Sequence, residues 1–253
     1  ILKDNGEDEE KTQKMIISVL LNAKNRKVKF WILDQAFLTK SFKEFCQRIT
    51  QSTDFEGSVE FIKYKWPLWL RPQRFSDRRM DLYKVLFVDV IFPQNVSQIL
   101  YMEPDSSPID PTELYDEEVS LPFSLLEASG PGYWDSGYWA KTLQERRVKF
   151  HTTDPAFLIN LQNLRKLEMG DKLRIHYQRL SADRNSLINA AQDLLNDLQV
   201  EVPINTLSPL TKSRLKVDDE EVALWLDGGS FEEELNEELA AEELRGDLIH
   251  DEL

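Results

Sequence analysis

The stretch Ile99-Leu100-Tyr101-Met102-Glu103-Pro104-Asp105 reads as a short apolar strand that runs straight into a pair of carboxylates. Working outward, Val85 to Phe92 is apolar and stops at Pro93, a residue that breaks helices and ladders alike. Val28-Lys29-Phe30-Trp31-Ile32-Leu33 ends at Asp34 and reads as a buried strand, and Val59 to Tyr64 alternates as a second one. Helical patterns lie between them: an apolar run from Met15 to Leu21, and a segment opening at Ser41 with Glu44 three residues on, the spacing of a capping box. Beyond Asp105 come a Pro- and Ser-rich connection, an aromatic segment from Gly130 to Trp139, and helical patterns from Leu161 to Leu198. Ile1-Leu2-Lys3-Asp4 reads as the end of a truncated first strand. Strands alternating with helices predict a layered α/β domain over residues 1–215.

Charge divides the chain in two. From Lys216 to Leu253 there are 15 acidic residues and two basic ones, whereas the rest holds 30 acidic and 29 basic side chains. A nearly neutral body with an acidic tail excludes nucleic acid as a partner. No apolar stretch approaches the roughly 20 residues that span a bilayer, so membrane insertion is not expected. Within the tail, Ser230 to Glu233 has the form of a capping box, and Phe231, Leu235 and Leu239 recur at helical spacing. This predicts a short amphipathic helix that docks weakly or stands off as a solvated arm. Cys46, the single cysteine, is either a small buried apolar residue or a partner for a cysteine elsewhere in a longer polypeptide.

The last four residues, His250-Asp251-Glu252-Leu253, match a C-terminal address read by the retrieval receptor of the endoplasmic reticulum. They place the chain in the lumen of that compartment. Nothing before Met15 has the form of a signal peptide, so an entry signal and further domains are expected upstream. Asn95-Val96-Ser97 is an N-glycosylation acceptor that a luminal chain would expose to the glycosylation machinery.

Six segments carry a resemblance. They are Val28 to Trp31; Tyr64-Lys65-Trp66-Pro67 with Trp69-Leu70; Tyr83 to Pro93; Trp134 to Ala140; Gly170-Asp171-Lys172-Leu173-Arg174; and Leu180 to Leu187, leading to Gln192-Asp193-Leu194-Leu195-Asn196. In this order they resemble the glucosyltransferase domain of the UDP-glucose:glycoprotein glucosyltransferase family, luminal enzymes that re-glucosylate misfolded glycoproteins. Within it the chain is most similar to a divergent fungal branch required for β-1,6-glucan of the cell wall. The resemblance implies a GT-A-like single domain, with a mixed central sheet flanked by helices, that binds UDP-glucose. It implies Lys84, Gln192 and Asp193 as donor-binding residues, although Lys84 also reads as a lysine snorkelling from a helix flank. It implies a divalent cation, Mn²⁺ or Ca²⁺, because such hard ions take carboxylate oxygens and neutralise the leaving diphosphate.

At the metal positions the chain departs from the family. Glu103 and Asp105 stand where the family has an Asp-x-Asp pair, with Pro104 between them. Ala191, which has no ligand atom, stands where the third Asp belongs. The family's Cys- and Trp-rich region beyond Pro203 is replaced by the acidic tail. The expected cation site is therefore weakened. Three functions remain open: a glucosyltransferase with an adapted site, acting with other luminal or membrane proteins of glucan assembly; a structural or chaperone-like module that has lost transfer; and re-glucosylation, which ranks below both. Asp89, set among Val, Leu and Ile, is a functional carboxylate or a structural hydrogen-bonding one. Trp66, Trp69, Tyr133, Trp134, Tyr138 and Trp139 are a sugar-stacking floor or core. Gly137 fits a close backbone approach to a ligand, and His151 and His176 lack metal-pair spacing.

Overall fold

A computed structural model describes residues 6–23, 26–33, 38–52, 56–72, 76–104, 114–115, 120–183 and 187–207. The opening Ile1 to Asp4, Asp105, the tail 216–253 with its predicted helix, and the terminal His250 to Leu253 lie outside them. Among the described residues no helix is long and apolar enough to cross a membrane.

The first layer is a βα pair. Helix α1 (Gly6–Asn22) leads to β1 (Val28–Leu33), α2 (Lys40–Gln51) and β2 (Gly57–Ile62), and the two strands pair in parallel, Val28 opposite Gly57. Ile16, Ile17, Leu20, Phe42, Phe45, Cys46 and Ile49 bury a common core between helices and strands. Cys46 is thus the buried residue of the first reading, and burial pushes its thiol up to about 12. The start of α2 differs from the capping box expected at Ser41: the helix begins at Lys40, and the Thr39 hydroxyl accepts from Phe42 N–H at 3.1 Å. Either Thr or Ser caps well, and the hydroxyl that reaches an orphan N–H decides.

The second layer is a five-stranded mixed sheet. Helices α3 (Ser76–Leu86) and α4 (Val88–Ile91) precede β3 (Gln98–Met102), and β4 (Phe123–Glu127) follows. A 3₁₀ turn at Tyr133–Asp135 and α5 (Gly137–Arg146) come next, then β5 (His151–Thr152) and β6 (Ala156–Asn160). The strand order is β3-β6-β4-β5, antiparallel throughout, with β7 (Ile204–Thr206) parallel to β4. Helices α6 (Leu161–Lys166) and α8 (Ala190–Leu198) pack against it, and α7 (Met169–Leu180) packs on α3, α6 and α8. The mixed α/β architecture is as expected. The strands β4 to β7, which supply most of the larger sheet, are not among the elements predicted from the sequence.

A polar clamp and a close glycine approach hold the helices in register. Asp89, in α4, receives both Nη groups of Arg174 at 2.8 and 2.9 Å, and Arg174 also donates to Leu86 O and to Asp171. Asp89 is therefore structural. A Cβ on Gly170 would lie 2.2 Å from the Asp89 carboxylate, so the glycine exists to let α4 and α7 approach. Replacing Arg174 with Met is expected to leave Asp89 buried without its partner and cost about 3–5 kcal/mol. Gly170→Ala should also destabilise. Urea unfolding of both variants checks this, and an unchanged midpoint for either refutes the account.

Candidate functional site

Lys84 lies on the last turn of α3, facing the end of β3. Its side chain is 2% exposed, so it does not snorkel. The ammonium is 2.7 Å from Glu103 Oε1, 3.0 Å from Asp81 Oδ1 and 3.9 Å from Asp154 Oδ1. Asp81 is one helical turn back on α3, Glu103 is the residue after β3, and Asp154 stands in the loop between β5 and β6. The Tyr101 hydroxyl also donates to Glu103 Oε1, at 3.1 Å, and the Tyr101 ring lies beneath the ammonium at 5.2 Å. A backbone bond from Glu103 N–H to Pro155 O, at 2.9 Å, joins the two strand ends.

Burial works against charge here, and the partners outweigh it. Burial alone would lower Lys84 and raise Glu103, but their mutual attraction and hydrogen bond leave Lys84 raised and Glu103 lowered. Asp154 is pushed up by burial and by its carboxylate neighbours. One ammonium among three carboxylates keeps the cluster net anionic.

Beside this cluster lies a second polar group. Asp193 is fully buried on the first turn of α8. Its Oδ2 accepts from Ile188 N–H at 2.6 Å and Asn189 N–H at 2.9 Å, so it closes the loop that enters the helix, and its Oδ1 accepts from the Tyr133 hydroxyl at 2.6 Å. Gln192 donates to the Tyr133 hydroxyl and accepts from Thr153 N–H, both at 3.3 Å. Burial and the Asp193 carboxylate hold the Tyr133 phenol well above its ordinary range. Thr153 adjoins Asp154, so Lys84, Glu103, Gln192 and Asp193 come together around one loop.

The aromatics divide. Trp66 is core, edge-on to Tyr83, Phe87 and Tyr177, and Trp139 is buried against Phe150. Trp134 stacks on Phe150 with Tyr133 beside it, whereas Trp69 is 65% exposed. Gly137 has a φ of +59° with open space around it, so the backbone conformation asks for glycine. His176 and His151 are buried separately. His176 Nε2 meets Asp197 Oδ2 at 2.5 Å while Arg179 donates to Nδ1 at 2.6 Å, and His151 Nε2 meets the Thr206 hydroxyl at 3.0 Å.

Among the described residues, which do not include Asp105, the donor set is only part of a metal centre of the family kind. Among the described residues no three His, Cys, Asp or Glu side chains converge on a cation position. Glu103 Oε1 is turned to Lys84 and Tyr101. Ala191, wholly buried, offers only a methyl group. Asp81, Tyr101, Thr153 and Asp154 escaped the sequence reading, and Tyr133, read there as a stacking or core aromatic, acts instead through its hydroxyl. Asp81 had a usable signal, three residues before Lys84 on a helix. Asp154 had none, because it reaches the site across a long chain separation.

An α/β layer with a mixed sheet and polar groups at the strand ends is the architecture of the GT-A glycosyltransferases. The galactosyltransferase LgtC, in complex with donor and acceptor sugar analogs, superposes over 88% of this chain and 93% of its own with a TM-score of 0.56 at 12% identity. The bifunctional glycosyltransferase WbbM superposes over 79% of this chain and 37% of its own, with a TM-score of 0.54. The family model Glucosyltransferase 24 matches residues 4–213, and the chain belongs to that family. It is 46% identical to Killer toxin-resistance protein 5 of Saccharomyces cerevisiae, over 89% of this chain and 17% of that protein. It is 40% identical to UDP-glucose:glycoprotein glucosyltransferase 1 of Mus musculus, over 76% of this chain and 13% of that protein. The chain therefore spans under a fifth of the length of these relatives.

The cluster makes a pH-dependent contribution whose sign is fixed. Glu103, lowered from 4.5, supports the fold above that value, and its share is lost as pH falls through the lowered folded value. Lys84, raised from 10.5, supports the fold below that value and loses its share on alkalinisation. Lys84→Met leaves three carboxylates facing one another, and we expect a loss of about 3–5 kcal/mol near neutral pH. The gap to wild type should narrow as pH falls towards about 4, where carboxylates protonate. Urea midpoints across that range check this, and a gap independent of pH refutes it.

Proposed function

We propose that this chain is the sugar-nucleotide domain of a protein of the endoplasmic reticulum lumen required for β-1,6-glucan of the cell wall, and that it takes UDP-glucose as donor. The observation that carries the reading is the convergence of Lys84, Glu103, Gln192 and Asp193 around the loop at Thr153–Asp154. Family membership and the identity to Killer toxin-resistance protein 5 support it. The terminal His250-Asp251-Glu252-Leu253 supports the location, through a retrieval receptor.

Transfer breaks the bond between glucose C1 and the diphosphate, builds negative charge on the departing UDP, and joins C1 to an acceptor hydroxyl oxygen whose proton is released to solvent. Lys84 has its charge taken up by carboxylates, so its part is to position Glu103 and the end of β3. The Gln192–Asp193–Tyr133 network fixes the loop into α8, where the donor sugar would lie. A Mn²⁺ or Ca²⁺ ion at Glu103 and Asp105 would be held weakly, since Glu103 already shares its charge with Lys84 and the Tyr101 hydroxyl. Other proteins of glucan assembly would supply the acceptor.

A second reading has its own observation. Ala191 is buried without a ligand atom and Glu103 is committed to an internal ion pair, which fits a domain that kept the fold and lost transfer. Calorimetric titration of UDP-glucose with Mn²⁺, with Ca²⁺ and with a chelator decides between them. We expect cation-dependent binding that a Glu103→Ala, Asp105→Ala double variant abolishes. No binding up to millimolar donor in any condition would leave the second reading standing.

A further inference from the structure

Asn95-Val96-Ser97 is the single Asn-x-Ser/Thr in the sequence. The structure places it in the turn between α4 and β3, closed by Val96 N–H donating to Pro93 O at 3.1 Å. Arg165, from α6, draws the backbone of this turn inward. Its guanidinium donates to the carbonyls of Phe92 at 2.7 Å, Pro93 at 3.2 Å, Gln94 at 3.4 Å and Val96 at 3.1 Å, and its Nε donates to Asp89 O at 3.0 Å. With the carbonyls turned in, the side chains of Gln94 and Asn95 turn out, and both are exposed, as is Ser97.

An asparagine in a turn commonly earns its place by bonding its own backbone. Asn95 does not: among the described residues its carboxamide has no hydrogen-bond partner, and Arg165 holds the turn without it. Among the described residues the side chain ties down nothing, and it is presented to solvent on a turn that Arg165 holds. Two exposed apolar residues lie close in sequence to the same clamp, Val90 at 53% and Leu167 at 46% exposure. They flank the carbonyls and the guanidinium that build it.

We propose that Asn95 carries an N-linked oligosaccharide whose first sugars lie over Val90 and Leu167. The inference rests on the luminal location read above. The attachment point is before the first residue of β3, and Glu103 follows its last, so the glycan leaves from the opposite end of a five-residue strand, about 17 Å from the site at the usual rise. It would cover exposed apolar surface and leave the donor site open.

The test uses the full polypeptide expressed in yeast, with protease protection of microsomes to report its location and mass spectrometry of the glycopeptide spanning Asn95. We expect a protected chain and an oligosaccharide that endoglycosidase H trims to a single N-acetylglucosamine on Asn95. Asn95→Gln and Ser97→Ala should both remove it, and Ser97→Thr should keep it. The unglycosylated variants should bind UDP-glucose within twofold of wild type while aggregating faster. A protected chain with bare Asn95 overturns the site and leaves the luminal reading intact, whereas an unprotected chain overturns the luminal reading and the site with it.

Discussion

Helix α8 is buried on every side, yet it carries Gln192, Asp193, Asn196 and Asp197. A buried polar group without a partner costs a few kcal/mol, so each of these side chains dictates where another element must stand. Asn196 accepts from His151 N–H at 2.8 Å and donates to His151 O at 2.7 Å, which docks β5 as a ladder neighbour would. Gln192 takes Thr153 N–H and extends that docking by two residues. Asp193 fixes the loop before the helix and the Tyr133 turn. Asp197 accepts from Tyr138 and pairs with His176, tying α5 and α7 to the same helix. Much of the second layer is thus arranged around the hydrogen-bonding needs of one short helix.

The candidate site inherits its geometry from that arrangement. Asp154 faces Lys84 because β5 is held by Asn196 and the loop after it by Gln192. Lys84 is held from the other side, because α3 is fixed by the Arg174 clamp at Leu86 and Asp89. The ammonium sits where these two constraints meet. Its burial is tolerable because α3, the end of β3 and the β5–β6 loop bring carboxylates to it, Glu103 nearest at 2.7 Å.

What was legible in the sequence follows from the range of each interaction. Strands β1, β2 and β3 were readable as apolar or alternating runs bounded by turn residues. Strands β4 and β6 were not: Phe123-Ser124-Leu125-Leu126-Glu127 and Ala156-Phe157-Leu158-Ile159-Asn160 are short, follow prolines, and are buried along most of their length without alternation. Such runs cannot be told from the start of a helix by period alone. At the site, family resemblance pointed to Lys84, Glu103, Gln192 and Asp193, and the structure brings them around one loop. Asp154 was invisible, and Tyr133 was legible only as an aromatic, since nothing local marks a residue that meets its partner 70 or 60 positions away. Asp89 and Gly170 lie in separate motifs that read as unrelated until their packing shows one to be the space the other needs.

The same helix explains how a family fold persists beside an altered site. Ala191 is wholly buried on α8, and a carboxylate in its place would have to be neutralised by a cation or a partner side chain. With alanine there, the helix has one fewer charge to satisfy, and the remaining four polar residues are satisfied entirely by protein groups. Stability of α8 therefore does not depend on a bound metal. At Glu103 the longer side chain finds its counter-charge within the molecule, in Lys84. Glu103 thus has its counter-charge in Lys84, and the polar side chains of α8 have their partners within the chain, so protein groups hold the fold around the candidate site.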